Sequence, residues 1–359
     1  MAQTLRRAGG WLPFDRFMAL ALYTPGLGYY AHGSIKFGSM PGSGSDFVTA
    51  PELSPWFGRT LGAQVVQAMQ ATGTDEIWEF GAGSGALAAQ VLAEVLSSGM
   101  ALRRYTIVDV SGSLRQRQQQ RLQPFGSRVQ WADALPERLQ GVLLGNEVLD
   151  AMPVQLLQRQ QGVWWERGVA LDAAAHPPAF IWSNRPTPHR PPLDVPGDHD
   201  YLTEIHPQAE AFIRTLAERW ERGAAFFIDY GFPAAEYYHP QRHMGTLLCH
   251  RLHRSDPDPL TDVGRKDITA HVNFSAVALA AQDAGLQVMG YASQGRFLIN
   301  AGLPGRLEQA SLAERVACSR LINEHEMGEL FKVLALAPMA SAEGWLPSGF
   351  AQGDRTHTL

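Results

Sequence analysis

The chain has 359 residues, of which 45% are apolar and only 18% charged, and its formal net charge is -5. That length gives room for about two domains or one elaborated one, and the charge balance excludes a broad electrostatic grip on nucleic acid. No apolar run approaches the roughly 18 residues that span a bilayer, and no long apolar stretch precedes Pro13, so neither membrane insertion nor secretion is expected. Cys249 and Cys318 lie far apart without CxxC spacing, which points to a reducing compartment, the cytoplasm.

Residues 13–22 begin with proline and carry apolar groups at helical spacing, which predicts a short helix. Glycine and serine crowd residues 32–45, the composition of a mobile loop. A second helix is expected over 54–71. From Glu76 strands and helices alternate: strands at 76–80, 104–110, 127–131 and 141–145, with helices at 85–98 and 112–122. Near-continuous apolar strands joined by helices imply a parallel sheet covered on both faces. The rhythm breaks after Val154. Residues 156–170 read as a hairpin turning at Gln161-Gly162, and 172–200 as an irregular excursion. A helix over 205–222 and a buried strand over 224–230 then resume the core.

Further on, an extended stretch is expected at 245–251, a helix at 274–284, strands at 286–291 and 330–337, and helix over 306–328. The organisation that follows is an N-terminal helical arm and lid (1–74), a first half-domain (75–154), an insertion (155–203) and a second half-domain (204–359). Trp164, Trp165 and Trp182 suit either a protein interface or a packed hairpin core. The i, i+4 pair His239/His243 is interrupted by Pro240, so no metal site is expected.

The most informative stretch is Glu76-Ile-Trp-Glu-Phe-Gly-Ala-Gly-Ser-Gly-Ala-Leu87, a strand, a tight turn and a helix start. Gly81, Gly83 and Gly85 lack Cβ atoms, so a ligand can come close to the helix N-terminus. Alone this fits a generic nucleotide fingerprint. Asp109, ending the second strand, is placed to accept hydrogen bonds from ribose hydroxyls. That contact suits NAD and S-adenosylmethionine alike. Glu79 separates them: a carboxylate two residues before the loop repels a pyrophosphate and suits an ammonium and a sulfonium. Asp133, after the third strand, is placed for an adenine amino group, with Trp131 near it or in the core. After the fourth strand, Asn146, Glu147 and Asp150 fall in the crevice beyond the strand ends, although Asn and Asp also cap helices. Arg115, Arg117 and Arg121 read as a solvated helix face.

Several longer strings carry a resemblance. Residues 17–30, Asp46-Phe-Val-Thr-Ala-Pro-Glu52, Glu79-Phe-Gly-Ala-Gly-Ser-Gly85, Asn146-Glu-Val-Leu-Asp-Ala-Met-Pro153, Ile228-Asp-Tyr-Gly231, Asp267-Ile-Thr-Ala-His-Val-Asn-Phe274 and Glu326-Met-Gly-Glu-Leu-Phe-Lys-Val333 resemble the MidA-like family of class I S-adenosylmethionine-dependent methyltransferases. The resemblance implies an α/β, Rossmann-like seven-stranded sheet with an N-terminal helical arm and a β-hairpin insertion. It also implies that Gly81, Gly83 and Gly85 hold the methionine part, Asp109 the ribose and Asp133 the adenine, with Asp46, Thr49, Pro51 and Glu52 walling the pocket. The mitochondrial relative methylates an arginine of a respiratory complex I subunit and assists assembly of that complex, so a protein partner of that kind is implied. Asn273 stands where many relatives carry an acid.

The reaction expected is methyl transfer to a nitrogen, a protein arginine first, with Glu147 and Asp150 orienting the guanidinium and Glu52 reaching in from the lid. Two rivals stay open: a non-catalytic assembly factor that retains the pocket, and an NAD-dependent oxidoreductase. The sequence leaves a homo-oligomer open.

Overall fold

The computed structural model describes residues 1–31, 49–109, 112–172, 174–175 and 178–359. The expected mobile loop over 32–45, and Asp46, lie outside the described residues. The architecture is organised on one long sheet whose strands are β1 (Glu76–Phe80), β2 (Arg104–Val108), β3 (Val129–Ala132), β4 (Val142–Asn146), β5 (Ala225–Phe232), β6 (Leu286–Ser293) and β7 (Phe331–Pro338). They lie in the order β6-β7-β5-β4-β1-β2-β3, and the two-residue strand Val272–Asn273 pairs with β5 as an eighth. β7 runs antiparallel between β5 and β6, while the pairs from β5 across to β3 are parallel. The order reverses at β1 and β4, so a crevice opens beyond the carboxyl ends of these two strands.

The strands read as unbroken apolar runs because both sheet faces are covered: every residue of β1 and of β7 is buried. One face packs against α2 (Pro55–Thr72) and α3 (Ala86–Ser97) through Phe57, Leu61, Val65, Met69, Val91 and Leu92. The other packs against α5 (Pro207–Arg219) and α6 (Phe274–Asp283) through Ile213, Leu216, Phe274 and Val277. α2 and α3 approach closely because Gly58 and Gly62 face α3, where a Cβ would lie 2.3 Å from Gln90 and 2.7 Å from Glu94.

The segment after β4 forms a second, antiparallel sheet with strands Gln155–Gln160, Val163–Asp172, Ala179–Pro186 and Tyr201–Ile205, edged by Trp11–Pro13 from the N-terminus. Its hairpin turns at Gln161 and Gly162, both with positive φ, the backbone a type I′ turn needs. The reading of 172–200 as irregular is corrected here. Ala179–Pro186 is a strand paired with Val163–Asp172, and the surrounding Pro and Asp residues had hidden it. α1 (Phe14–Tyr23) packs on this sheet, with Phe14 and Phe17 beside Trp182 and Phe180 at 5.4 Å between ring centroids. Trp182 therefore belongs to a packed core.

Two helix expectations are also corrected. The helix over 205–222 stops at Arg219, because Trp220–Arg222 pairs as a short strand with Leu139–Gln140. The stretch 306–328 breaks into Leu303–Leu307, Leu312–Ile322 and Met327–Leu330, the middle one opened by a Ser311/Glu314 capping box. Finally, Leu248–Arg251, Arg254–Asp256 and Asp267–Thr269 make a small antiparallel sheet. Among the described residues no helix is long and apolar enough to cross a membrane, and no three His, Cys, Asp or Glu side chains gather as metal ligands do.

Candidate functional site

A cavity of about 530 Å³ opens at the topological switch, lined on one side by β1, the glycine loop and Asp109. The loop leaves β1 with its N–H at Gly81 bonded to the Val108 carbonyl at 3.0 Å. Gly81, Gly83 and Gly85 all have positive φ, between 52° and 79°, which side chains resist. Gly81 and Gly83 line the cavity; Gly85 starts α3 with its missing side chain against Gln118 of α4 (Gly112–Leu122). Gln118 is fully buried. Its amide donates to the Gly83 carbonyl at 3.0 Å and to Asp109 at 2.8 Å, and its Oε1 accepts from Trp131 at 2.9 Å. One side chain thus fixes the loop and the Asp109 carboxylate together. The sequence reading missed it, because a glutamine in a helix of glutamines and arginines carries no local signal.

Glu79 is buried on β1 and accepts from Tyr105 at 2.8 Å. Burial pushes its carboxyl up to about 8, the Tyr105 bond pulls it back, and Asp109 pushes it further up. Asp133 is placed differently from the expectation. It does not line the cavity, its side chain is 85% exposed, and it pairs with Arg115 at 2.5 Å. Arg121 likewise corrects the reading of a solvated face, since it is bonded to Glu52 and Ser84.

The turn after β4 presents Asn146, Glu147 and Asp150 to the same cavity. Glu147 sits at φ 54, an unfavourable backbone for a non-glycine residue. Asp229 on β5 holds it there. One carboxylate oxygen accepts the successive N–H groups of Val148, Leu149 and Asp150 at 3.1, 2.9 and 3.2 Å, and the Ile228 carbonyl takes the Glu147 N–H at 2.9 Å. Next to it, the Tyr230 hydroxyl donates to Asp150 Oδ2. Burial pushes Glu147 up to about 8, with the Asp150 charge adding, while hydrogen bonds from Asn146 and the Ala50 backbone oppose. Asp150 is pushed up to about 6 by burial, against the Tyr230 bond. Asp150 Oδ1 and Asn146 Oδ1 are buried with no hydrogen-bond partner, so the turn keeps acceptor capacity in hand.

Thr49 and Pro51 line the cavity from the N-terminal side, as Tyr23 and Tyr30 do. Glu52 does not. It accepts from Ser84 of the glycine loop and from Arg121 at 2.7 Å, and Pro51 is tied to α3 by Gln90 at 2.7 Å. The structure thus places Glu52, expected as a catalytic acid, against Ser84 and Arg121 and outside the residues that line the cavity. Asn273 is buried away from the cavity, caps α6 through the Ala276 N–H at 3.1 Å and donates to Tyr238 at 3.2 Å. The remaining wall comes from the small sheet: Leu248, His250, Asp267 and Thr269, with His271 beyond. The sequence reading gave none of these a role, although Asp267 opens one of the quoted strings.

These features match known proteins over almost the whole chain. Residues 60–292 match the family described as "Putative S-adenosyl-L-methionine-dependent methyltransferase". The chain belongs to this family. A Burkholderia thailandensis protein solved bound to S-adenosyl-homocysteine is 48% identical with a TM-score of 0.95, covering 100% of this chain and 95% of that one. The Drosophila melanogaster "Protein arginine methyltransferase NDUFAF7 homolog, mitochondrial" is 30% identical over 92% of this chain and 82% of its own length. Its human counterpart, "Protein arginine methyltransferase NDUFAF7, mitochondrial", is 27% identical over 94% and 82%. The protein is an S-adenosylmethionine-dependent methyltransferase with the α/β fold of that family, and S-adenosylmethionine is its cofactor. The residues present suit that molecule: a glycine loop open to close approach, the first turn of α3 for a carboxylate, and acids for its cationic centres.

Proposed function

We propose that this methyltransferase acts on an arginine nitrogen of a protein. The observation that carries the reading is the charge of the cavity. Glu79, Asp109, Glu147, Asp150 and Asp267 line it, and its described lining residues include no lysine or arginine. A methylated sulfonium and a guanidinium brought to about 4 Å repel by roughly 4 kcal/mol at an effective dielectric of 20. Carboxylates around both charges offset that repulsion. The names of the animal relatives, protein arginine methyltransferases, support the same substrate.

In this reading Glu79, Gly81 and Gly83 hold the methionine end, Asp109 the ribose, and Thr49, Pro51 and Asn146 close around the reacting centre. When bound, S-adenosylmethionine supplies a methyl whose carbon forms a bond to nitrogen as the carbon–sulfur bond breaks, its electron pair remaining on a neutral thioether. Guanidinium is protonated at neutral pH, with a pKa above about 12. Glu147 and Asp150 orient it, concentrate its positive charge on the nitrogens not being methylated, and accept the proton released around transfer. Tyr230 fixes Asp150, and Asp229 fixes the turn that carries both. We place the protein in the cytoplasm, a reducing compartment, supported by its two buried free thiols, Cys249 and Cys318; the animal relatives are named mitochondrial. A respiratory complex I subunit is the candidate partner carried by the resemblance.

The test is incubation of the purified protein with methyl-labelled cofactor and candidate protein substrates, followed by amino-acid analysis. Label on arginine is expected, and label confined to oxygen or to small molecules would remove the arginine reading. A Glu147→Gln variant that binds cofactor, transfers no methyl and still performs the cellular role would favour the assembly factor.

A further inference from the structure

We propose that His271 is a further residue that recognises the methyl acceptor, a nitrogen of its imidazole taking an N–H of the acceptor group beside Asp150. The proposal rests on the proposed transfer to nitrogen and names one more side chain that meets that nitrogen group. Three buried side-chain atoms without a hydrogen-bond partner belong to residues that line the cavity: Asn146 Oδ1, Asp150 Oδ1 and His271 Nδ1. The first two sit on one turn. Tyr230 connects that turn to the third: its hydroxyl donates to Asp150 Oδ2, and its ring meets the His271 imidazole edge-on, centroids 5.2 Å apart and 76° from parallel. Buried polar atoms are nearly always paired. Three left open on one cavity, with a single tyrosine touching both places, indicate a ligand that brings donors.

The backbone that carries His271 is pinned. Its N–H donates to Thr246 Oγ1 at 3.0 Å, and its carbonyl accepts from His206 Nε2 at 2.9 Å. The preceding Ala270 N–H donates to the Asp150 carbonyl at 3.0 Å, which stitches this segment to the turn. Val272, next in the chain, pairs with β5 opposite Gly231. The imidazole packs against Phe232 as well as Tyr230, again at 5.2 Å between centroids. A phenylalanine would fill that place without leaving a polar atom unpaired, so packing alone does not account for an imidazole there. Burial pushes its pKa down to about 4, with Arg242, Lys332 and His206 adding to the shift. The ring is therefore neutral at neutral pH, with one nitrogen able to accept. Such a nitrogen takes an N–H from a cation without adding positive charge to a cavity whose acids draw that cation in.

The test uses the full chain saturated with S-adenosyl-homocysteine and titrated by calorimetry with ethylguanidinium, which carries N–H donors, or tetramethylammonium, a cation with none. His271→Phe keeps a ring and removes both nitrogens. It should weaken ethylguanidinium about fivefold and leave tetramethylammonium and S-adenosyl-homocysteine within about twofold of wild type. Unchanged ethylguanidinium binding would overturn the proposal, because the open nitrogen then meets no donor. Equal weakening of both cations would overturn it too, by showing that the ring only packs the wall. If His271→Phe binds no S-adenosyl-homocysteine, His271→Ala is read in its place, and loss of that binding in both variants makes His271 structural and removes the proposal. Methyl transfer to arginine and lysine peptides, run alongside, separates the two claims. Arginine methylation with an unaltered KM in His271→Phe sinks the role of His271 alone. Methylation of lysine instead, with KM raised about fivefold in His271→Phe and kcat within about threefold, sinks the arginine reading and leaves His271 standing.

Discussion

The two walls of the cavity are built in opposite ways. The cofactor wall is compact in sequence: Glu79, the glycine loop and Asp109 all lie within one strand–helix–strand unit, at the ends of neighbouring strands. The facing wall is gathered from Tyr23 and Tyr30 near the N-terminus, the turn at Glu147–Asp150, and the small sheet with His250 and Asp267. The first wall is dictated by backbone geometry, because a loop that must admit a ligand needs glycines at fixed places. The second is set more by side-chain chemistry, since charge can be delivered from any element that reaches the cavity, with backbone geometry decisive at the Glu147 turn. One wall can therefore be damaged through the cofactor and the other through the acceptor, and four substitutions test that division.

The largest effect is expected from Glu147→Gln. If Glu147 faces only the acceptor, kcat/KM for an arginine peptide falls about 10³-fold while S-adenosyl-homocysteine affinity is kept, read by kinetics and calorimetry. Its pH profile sharpens the point. Burial pushes Glu147 up to about 8 and Asp150 up to about 6, and both must be ionised to hold a guanidinium. Wild-type kcat/KM should therefore fall as pH drops through 8 and again through 6, and the variant should lose the upper limb. Stability has the opposite sign. A carboxyl raised on folding binds more protons folded than unfolded between its ordinary value and about 8, so stability declines as pH rises through that window. Without cofactor or acceptor, Glu147→Gln should melt about 2–4 °C higher than wild type at pH 8 and alike at pH 4. An unchanged melting temperature at pH 8 would contradict the buried-charge account.

Next in size is Asp229→Asn. An amide replaces the carboxyl whose oxygen gathers three backbone N–H groups, a carboxyl that burial and the Asp150 and Glu147 charges push well above its ordinary value, and the turn's hold on Glu147 at φ 54 weakens. A decrease of about 10² in kcat/KM is expected, with cofactor affinity nearly intact. Equal losses in both would mean that Asp229 supports the whole crevice and that the two walls are not separable.

Gln118→Leu probes the other wall. The variant keeps a buried side chain of similar size and removes the bonds to Gly83, Asp109 and Trp131. Cofactor Kd should rise about tenfold, roughly 1.4 kcal/mol, with kcat at saturating cofactor within about threefold. A fall in kcat alone would place Gln118 on the acceptor side.

The division also explains what could be read from the chain. The parallel sheet and its crossover helices were legible because strands buried on both faces are apolar throughout, as β1 and β7 are. The glycine loop, Asp109 and the Asn146–Asp150 turn were legible because strand ends at a switch point converge. Asp133 followed the same rule and failed it: exposure and Arg115 draw its carboxylate outward. Gln118 and Asp229 hold the loop and the turn through contacts with segments far off in the sequence, which no local pattern shows. The strand Ala179–Pro186 was hidden by the Pro and Asp residues around it, and it is placed by pairing with Val163–Asp172.

The smallest effect is expected at Glu52, where the sequence reading had placed a catalytic acid. Its carboxylate joins Ser84 and Arg121, and Arg121 is 40% exposed, so the pair is worth no more than about 1 kcal/mol. Glu52→Gln should then raise cofactor Kd by about fivefold at most, through looser seating of the glycine loop, and leave kcat unchanged. Because an exposed pair is screened by salt, the difference from wild type should shrink between low ionic strength and about 0.5 M. A large fall in kcat, insensitive to salt, would return Glu52 to the reacting centre and require the N-terminal segment to swing inward when the acceptor binds.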